Sequence, residues 1–169
     1  MKRALKETEV RLIAELMKNS RRSDRDLAKA VGVSQPTISR TRQRLEKEGM
    51  IDNTGVPDLA KLGYSIIAVV LGKRDYTKHP EDLIGVAKDF AKQHPSIIFC
   101  ASGTGLNYDV ISISIHKDYA DYSRFISEAR LSGGAAVDAD SFLIETSNIG
   151  IIRNLSLKPF AEHLAEKQG

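Results

Sequence analysis

The chain has 169 residues, of which 41% are hydrophobic and 28% are charged, within the range of globular proteins. Its longest apolar run, IIAVVL at 66–71, is far shorter than the roughly 20 residues that a membrane-spanning helix needs. The N-terminal MKRALKETEV lacks the apolar stretch of a signal peptide, so we expect a cytoplasmic protein with no membrane partner.

Charge is distributed unevenly along the chain. Residues 1–55 carry 13 Lys and Arg against 8 Asp and Glu, a net charge of +5, whereas residues 56–169 carry a net charge of −2. This asymmetry predicts a basic module that faces a polyanion and a second module with another task.

The basic module begins with two predicted helices. Apolar residues recur at helical spacing over about 6–19, which predicts an amphipathic helix. Ser23 with Asp26 three residues later is a capping-box pattern that begins a second, short helix. Gly32 ends that helix, because glycine adopts the left-handed conformation without steric cost.

A third helix is predicted from a cap at Ser34 to Glu48, with Gly49 closing it. Its spacing turns Ile38 and Leu45 toward the core. Two helices joined by a glycine-containing turn of three or four residues form a helix-turn-helix, whose second helix enters the major groove of DNA.

The outer face of the third helix is basic and rich in hydrogen-bonding groups. A solvated surface is the usual meaning of such a charge run, but the preceding capped helix, the glycine turn and the local net charge favour DNA binding. Arginine can bind guanine through two hydrogen bonds, and any cation can pair with phosphate. The residues predicted to contact double-stranded DNA are Ser34, Gln35, Pro36, Thr37, Ser39, Arg40, Gln43, Arg44 and Lys47.

A short two-stranded wing is predicted after the third helix. Met50 and Ile51 are apolar, and the following DNTGVPD supplies residues for a tight reversal. Because no Lys or Arg lies between Lys47 and Lys61, we expect the wing to contribute little to DNA binding.

The second module alternates strands and helices in the order βαββαβ. The strands are SIIAVVLGK, PSIIFCAS, DVISISIH and SFLIETSNIGIIRNL, and the helices follow Pro80 and Asp118. This order predicts a ferredoxin-like sheet with helices on one face, so we expect a second copy to cover the other face. The predicted α+β architecture is a winged helix-turn-helix over 1–55, a linker over 56–63, a ferredoxin-like domain over 64–157 and a tail helix over 158–169.

No catalytic, metal-binding or cofactor-binding constellation is evident in the sequence. The four histidines are scattered and are expected at the surface or at loop ends: His79, His94, His116 and His163. Cys100 lies in the apolar stretch IIFCA and is expected to be a buried, unreactive thiol. The tail helix either packs on a domain or extends an oligomer contact, and the sequence leaves both open.

The stretch SRRSDRDLAKAVGVSQPTISRTRQRLEKEGMI, followed by DLAKLGYSIIAVVL, resembles the Lrp/AsnC transcription regulators. The resemblance implies a homodimer that assembles further into tetramers or octamers, and an amino-acid effector bound near a G-x-Y-D element. By match, the effector-binding candidates are Gly103, Gly105, Tyr108 and Asp109, although glycines between two strands are also explained by a turn that needs positive φ. The family places an arginine and then an apolar residue where this chain has Thr41 and Arg42, so base preference does not transfer.

Two alternatives compete with a DNA-binding regulator. Some tetrapyrrole decarboxylases resemble this family in fold, and such an enzyme would need histidine or arginine projecting into a cleft. A ligand-sensing module that acts through protein contacts, without DNA binding, is the other alternative.

Overall fold

The computed structural model describes residues 4–73, 83–131, 138–147 and 151–166. The helices are α1 (Glu7–Lys18), α2 (Asp24–Val31), α3 (Gln35–Lys47), α4 (Leu83–Gln93), α5 (Tyr119–Leu131) and α6 (Lys158–Glu166). The strands are β1 (Ile66–Lys73), β2 (Ile97–Gly105), β3 (Tyr108–His116) and β4 (Asp138–Glu145). The chain forms two compact units: residues 1–56 with 154–169, and residues 57–153.

The first unit is helical, and its helix ends follow the predicted signals. The Ser23 side chain caps α2 by accepting a hydrogen bond from the Asp26 amide at 3.2 Å, and Gly32 ends that helix with φ +80°. At the end of α3, Gly49 has φ +66° and the Met50 amide donates to the Leu45 carbonyl at 2.9 Å. This six-to-one bond is the Schellman arrangement, which explains why glycine stands there.

The apolar faces of α1, α2 and α3 enclose one core. Its buried members are Leu12, Leu16, Leu27, Ala28, Val31, Ile38 and Leu45. Ile38 and Leu45 point inward as the helical spacing predicts, so the opposite side of α3 faces outward.

Helix α6 packs against α1 within the same unit. Val10 and Ala14 are buried although they lie about 160–200° around α1 from Leu12, at 100° per residue. Ala161 of α6 is also fully buried. Helix α1 is therefore covered on two sides, by α2 and α3 on one and by α6 on the other, so the tail helix packs on the helical unit.

The expected two-stranded wing does not form in the described part of the chain after α3. Residues 51–58 contain no strand, and the Asn53 side-chain amide instead donates to the Glu46 carboxylate at 3.0 Å. Pro57 has no amide to donate to a strand ladder, and the segment is irregular chain.

The second unit has the ferredoxin-like arrangement. Its antiparallel sheet has the strand order β2-β3-β1-β4, and α4 and α5 connect the strands. Asp118 caps α5 by accepting from the Asp121 amide at 2.8 Å. The predicted helix start at Pro80, the stop at Gly133 and Gly134, and the break near Asn148 lie outside the described residues.

The two faces of the sheet differ in an unexpected way. Ala68 and Val70 of β1 pack against Tyr122 and Ile126 of α5, so the even-numbered positions of β1 face the helices. The antiparallel register places Ser114 of β3 beside Ala68, on that covered side. The isoleucines of β3 therefore line the open face, and its serines lie beneath the helices.

Candidate nucleic-acid interface

The outer face of α3 is accessible within the helical unit. Eight of the nine residues predicted to contact DNA are exposed, and Ser39 is half-buried. The helix begins with Ser34, whose hydroxyl accepts from the Thr37 amide at 3.4 Å. The capping leaves Gln35 and Pro36 at the exposed N-terminal end, where a recognition helix contacts base edges.

Arg44 has a structural partner that the sequence did not suggest. Its guanidinium pairs with the carboxylate of Glu9, which is 1% exposed, and lies 3.9 Å from Glu48. The Lys6 amide donates to the other oxygen of Glu9 at 2.7 Å. Arg44 therefore ties α3 to the first turn of α1, and only part of its side chain remains exposed.

Arg42 is also held by acidic side chains. It lies 3.4 Å from Asp24 on α2 and 3.0 Å from Glu46 one turn along α3. The residue that departs from the family pattern thus connects the two helices of the helix-turn-helix. Where the family has an apolar residue, this chain therefore has a charged residue that is paired at the contact between α2 and α3.

Arg40, Gln43 and Lys47 form the remaining polar stripe on α3. All three side chains are exposed, and neither cation has an ion pair within the described residues. A cation without an intramolecular acid is available to a phosphate or a base edge without first breaking a contact. The structure therefore separates the basic residues of α3 into two that hold the domain together and two that face outward.

Sequence reasoning missed two further cations on α2. Arg25 and Lys29 are exposed, four residues apart on one side of the helix, and neither has an ion pair in the part of the chain that the structure describes. The first helix of a helix-turn-helix crosses the DNA backbone, so this spacing on α2 was the available signal.

The predicted effector-binding residues lie at the β2–β3 hairpin. Gly103 and Gly105 are the last part of β2, and Gly105 pairs with Tyr108. The turn consists of two residues, Leu106 with φ +51° and Asn107 with φ +66°. Two consecutive positive φ angles give a type I′ turn, so a tight hairpin replaces the expected glycine-rich loop.

Tyr108 is fixed by an acidic neighbour across the sheet end. Its hydroxyl donates to the carboxylate of Asp140 on β4, and this bond raises the pKa of Tyr108 to about 12. Lys73 donates to the Asn107 side chain at 3.4 Å nearby. Asp109 is half-buried on β3. Gly105, Tyr108 and Asp109 thus lie at the same end of the sheet, and Tyr108 contacts Asp140 of β4.

His116 lies at the end of β3, in line with the expectation of surface or loop-end histidines, but its side chain is buried. It is buried beneath α5. Its Nε2 shares a hydrogen bond of 2.9 Å with the Ser114 hydroxyl, and its Nδ1 lies 3.7 Å from the carboxylate of Asp121. Burial lowers the pKa of His116, and the nearby Asp121 opposes that shift. The order Ser–His–Asp resembles a nucleophilic triad, but Ser114 is 0% exposed and no substrate reaches it.

The other histidines and the single cysteine are also placed. His94 is half-buried between α4 and α5, His163 is exposed on α6, and His79 lies outside the described residues. Cys100 is exposed, contrary to expectation, because β2 is an edge strand whose helix-facing side is incompletely covered.

Within the described ranges, no group of His, Cys, Asp and Glu side chains is arranged to hold a metal ion. None of the described helices is long and apolar enough to cross a membrane.

Comparison with known proteins supports the interpretation of α2 and α3 as a DNA-binding helix-turn-helix. Residues 5–52 match the family model for winged helix-turn-helix DNA-binding domains. An uncharacterized HTH-type transcriptional regulator of Pyrococcus abyssi is 30% identical over 123 residues, covering 72% of this chain and 80% of the relative. Another, from Pyrococcus furiosus, is 32% identical over 118 residues, covering 69% and 76%.

Solved structures share the complete architecture. The crystal structure of PH0061, from Pyrococcus horikoshii, has a TM-score of 0.75 at 29% identity, covering 92% of this chain and 99% of that one. A Neisseria meningitidis regulator, NMB0573, solved as a complex with L-Met, has a TM-score of 0.72 at 19% identity, with coverages of 93% and 99%. Bacillus subtilis LrpC has a TM-score of 0.70 at 22% identity, covering 90% of this chain and 100% of that one, and shows the same fold.

The fold and the basic helix define a transcription regulator with a helix-turn-helix DNA-binding domain. The chain belongs to the HTH-type transcriptional regulators that these Pyrococcus relatives represent, and its fold is the one seen in Lrp/AsnC regulators such as LrpC.

Proposed function

We propose that this regulator acts in the cytoplasm, and not as an enzyme, by binding double-stranded DNA as a homodimer through the outward stripe of α3. The observation that carries this proposal is the sorting of charge on α3: Arg42 and Arg44 are paired with acids, whereas Arg40 and Lys47 are exposed without ion pairs in the described chain. Such cations bind phosphates by releasing counterions, which gives affinity that falls steeply with salt.

The test of DNA binding compares two arginine variants of the full chain. Arg40→Ala should weaken binding to the DNA upstream of the protein's own gene by about 1–3 kcal/mol in fluorescence anisotropy titrations. The matched control is Arg153→Ala, which removes an exposed arginine of the second unit and should leave affinity unchanged. Equal affinity of wild type and Arg40→Ala at every salt concentration would remove this face from the interface.

Dimerisation through the sheet is proposed from its open face. One row across the four strands consists of Phe142, Val69, Ile113 and Phe99, joined by the strand register. Phe142 is 71% exposed and Phe99 is 50% exposed within the single chain. Contiguous exposed apolar surface marks an interaction site, and a two-fold copy covers such a face with the same residues.

A sheet-mediated dimer also suits the DNA-binding role. Two recognition helices presented by a symmetric dimer read half-sites about one helical turn, or roughly 34 Å, apart. Higher assembly into tetramers or octamers is part of the same proposal, because the family resemblance implies it.

The oligomeric state is tested by placing a charge on the open face. Phe142→Lys should shift the molar mass measured by light scattering toward that of the monomer, because burying a lysine without a partner is costly. Leu131→Lys is the matched control, since Leu131 is exposed on α5. A Phe142→Lys protein that keeps the wild-type mass would place the dimer contact elsewhere.

An amino acid is the proposed effector, bound beside Gly103, Gly105, Tyr108 and Asp109. Support comes from the hairpin that gathers the last three of these residues, and from the relative that was solved with L-Met. A carboxylate such as that of Asp109 can accept hydrogen bonds from an ammonium group.

The effector proposal is tested by thermal unfolding with each of the twenty amino acids. A ligand at 100 times its Kd stabilises the folded protein by about 2.7 kcal/mol, and Asp109→Asn should abolish that gain. An unchanged melting temperature with all twenty would leave a regulator without an amino-acid effector.

A further inference from the structure

A cavity of about 40 Å³ lies inside the second unit, between the sheet and its two helices. It is separate from the open sheet face and from the hairpin described above. Its apolar walls are Val70 from β1, Ala87 and Phe90 from α4, and Phe125, Ile126 and Ala129 from α5. A cavity needs about 10–15 Å³ to hold one water-sized group, so this cavity accommodates about three such groups.

Two polar side chains, those of Ser112 and Arg130, line the otherwise apolar cavity. The Ser112 hydroxyl lies on the sheet side and makes no hydrogen bond within the described residues. Arg130 lines the other side, is exposed, and donates to the Ala139 carbonyl at 3.5 Å. No ion pair involves Arg130 in the described chain, so its guanidinium can bind an anion.

The lining also excludes one class of ligand. Neither Asp nor Glu is among the described residues that surround the cavity. A buried ammonium group would lack an acidic partner there, and an unpaired buried charge is costly. A carboxylate would instead find the planar guanidinium fork that suits it.

We propose that this cavity binds a short apolar carboxylate without an α-amino group, with its hydrocarbon end inside and its carboxylate on Arg130. Branched-chain 2-oxo acids and short branched fatty acids have this chemistry. Their isopropyl or isobutyl ends have three or four carbons, which matches the size of the enclosed space. The binding is independent of DNA recognition and of an amino acid bound at the hairpin.

Cys100 provides a direct reporter, because it lines the cavity and is exposed. The experiment measures the rate of Cys100 alkylation by a maleimide in the full-length protein. The probes are 4-methyl-2-oxopentanoate, 3-methylbutanoate and, as the matched amino acid, L-leucine, each up to millimolar concentration. We expect at least a severalfold slower reaction with one or both carboxylates and an unchanged rate with leucine.

Two variants separate cavity binding from a distant effect. Arg130→Gln should remove the protection, because the guanidinium that binds the carboxylate is lost. The Arg130 side chain is exposed, so the substitution should not disturb the core. Arg153→Gln should retain the protection. Ala129→Leu should fill the space, slow the alkylation without ligand and abolish any further protection. If that variant fails to fold, the Arg130 pair still decides.

Three results would overturn the proposal. They are the absence of protection by either carboxylate, equal protection by leucine, and protection that persists in Arg130→Gln. The readout does not depend on DNA binding. Because Gly103 of the hairpin lies on the same strand as Cys100, the leucine comparison is repeated in Asp109→Asn, which separates protection at the cavity from an amino acid bound at the hairpin.

Discussion

The two units of this protein differ in how completely each buries its own apolar surface. In the helical unit, Leu12, Leu27 and Leu45 are fully buried by helices of the same unit. In the sheet unit, the row containing Phe142 and Phe99 remains open, whereas the opposite face is covered by two helices. The first unit buries its main core within a single chain, whereas the second leaves one apolar face of its sheet exposed.

Polar residues lie on the covered face of the sheet. Ser114 and His116 satisfy each other by a hydrogen bond beneath α5, so burying them costs little. The isoleucines on the other face gain only if another surface covers them. Open and covered faces therefore cannot be assigned from the polarity of β3 alone.

The largest effect is expected from a cavity in the helical core. Leu27→Ala should lower the free energy of unfolding of that unit by about 3 kcal/mol, because the side chain is fully buried. Urea unfolding followed by circular dichroism at two protein concentrations is the measurement. The loss should be equal at both concentrations, whereas a concentration-dependent loss would show that this core also depends on a partner.

Arg44→Ala should produce the next largest change. Removing this arginine takes a charge-assisted partner from the buried Glu9 carboxylate, at a cost of about 2 kcal/mol in unfolding free energy. Arg40→Ala is its matched control and should change unfolding by less than about 0.5 kcal/mol while weakening DNA binding. A stable Arg44→Ala protein with reduced DNA affinity would mean that Arg44 contacts DNA and not the domain core.

Local signals made the helical unit predictable from sequence. The caps at Ser23 and Ser34 and the glycines at 32 and 49 each act within a few residues, and the structure has them as expected. The sequence did not predict that Arg44 would pair with an acidic side chain of the domain while Arg40 remains exposed. That pairing depends on Glu9, which lies 35 residues from Arg44 along the chain.

The sheet unit was predictable in its order of elements but not in its details. Gly105 has a positive φ angle as expected, but the two turn residues Leu106 and Asn107, which are not glycines, have positive φ angles as well. Leu106 has a positive φ angle and an apolar side chain that is 83% exposed, and leucine is not a residue that local propensity favours at such a turn. The exposure of Cys100 follows from the place of β2 at the sheet edge, which is a property of the strand order.

A smaller effect is expected from the contact of α6 with α1 in the helical unit. Ala161→Glu places a charge in the buried contact of α6 with α1, and detaching α6 would uncover Val10 and Ala14. We expect a loss of about 1–2 kcal/mol and faster proteolysis within 151–166. Ala120→Glu, at an exposed position of α5, is the control. Unchanged proteolysis in Ala161→Glu would show that α6 contributes little.

The smallest effect is a pH dependence of the sheet unit. Burial lowers the pKa of His116 below its ordinary value of about 6.5, so the unfolded chain takes up a proton first as the pH falls. Stability present at neutral pH is therefore lost as the pH falls below about 6.5 toward the folded-state pKa, by at most about 1.4 kcal/mol per pH unit.

Urea unfolding at pH 7.5 and pH 5.5 measures this loss. His116→Gln should flatten the difference between the two pH values, because the side chain no longer titrates. His163→Gln should leave it unchanged, since that histidine is exposed on α6. A wild-type protein equally stable at both pH values would mean that Asp121, 3.7 Å from the ring, offsets the burial and keeps the pKa of His116 near its ordinary value.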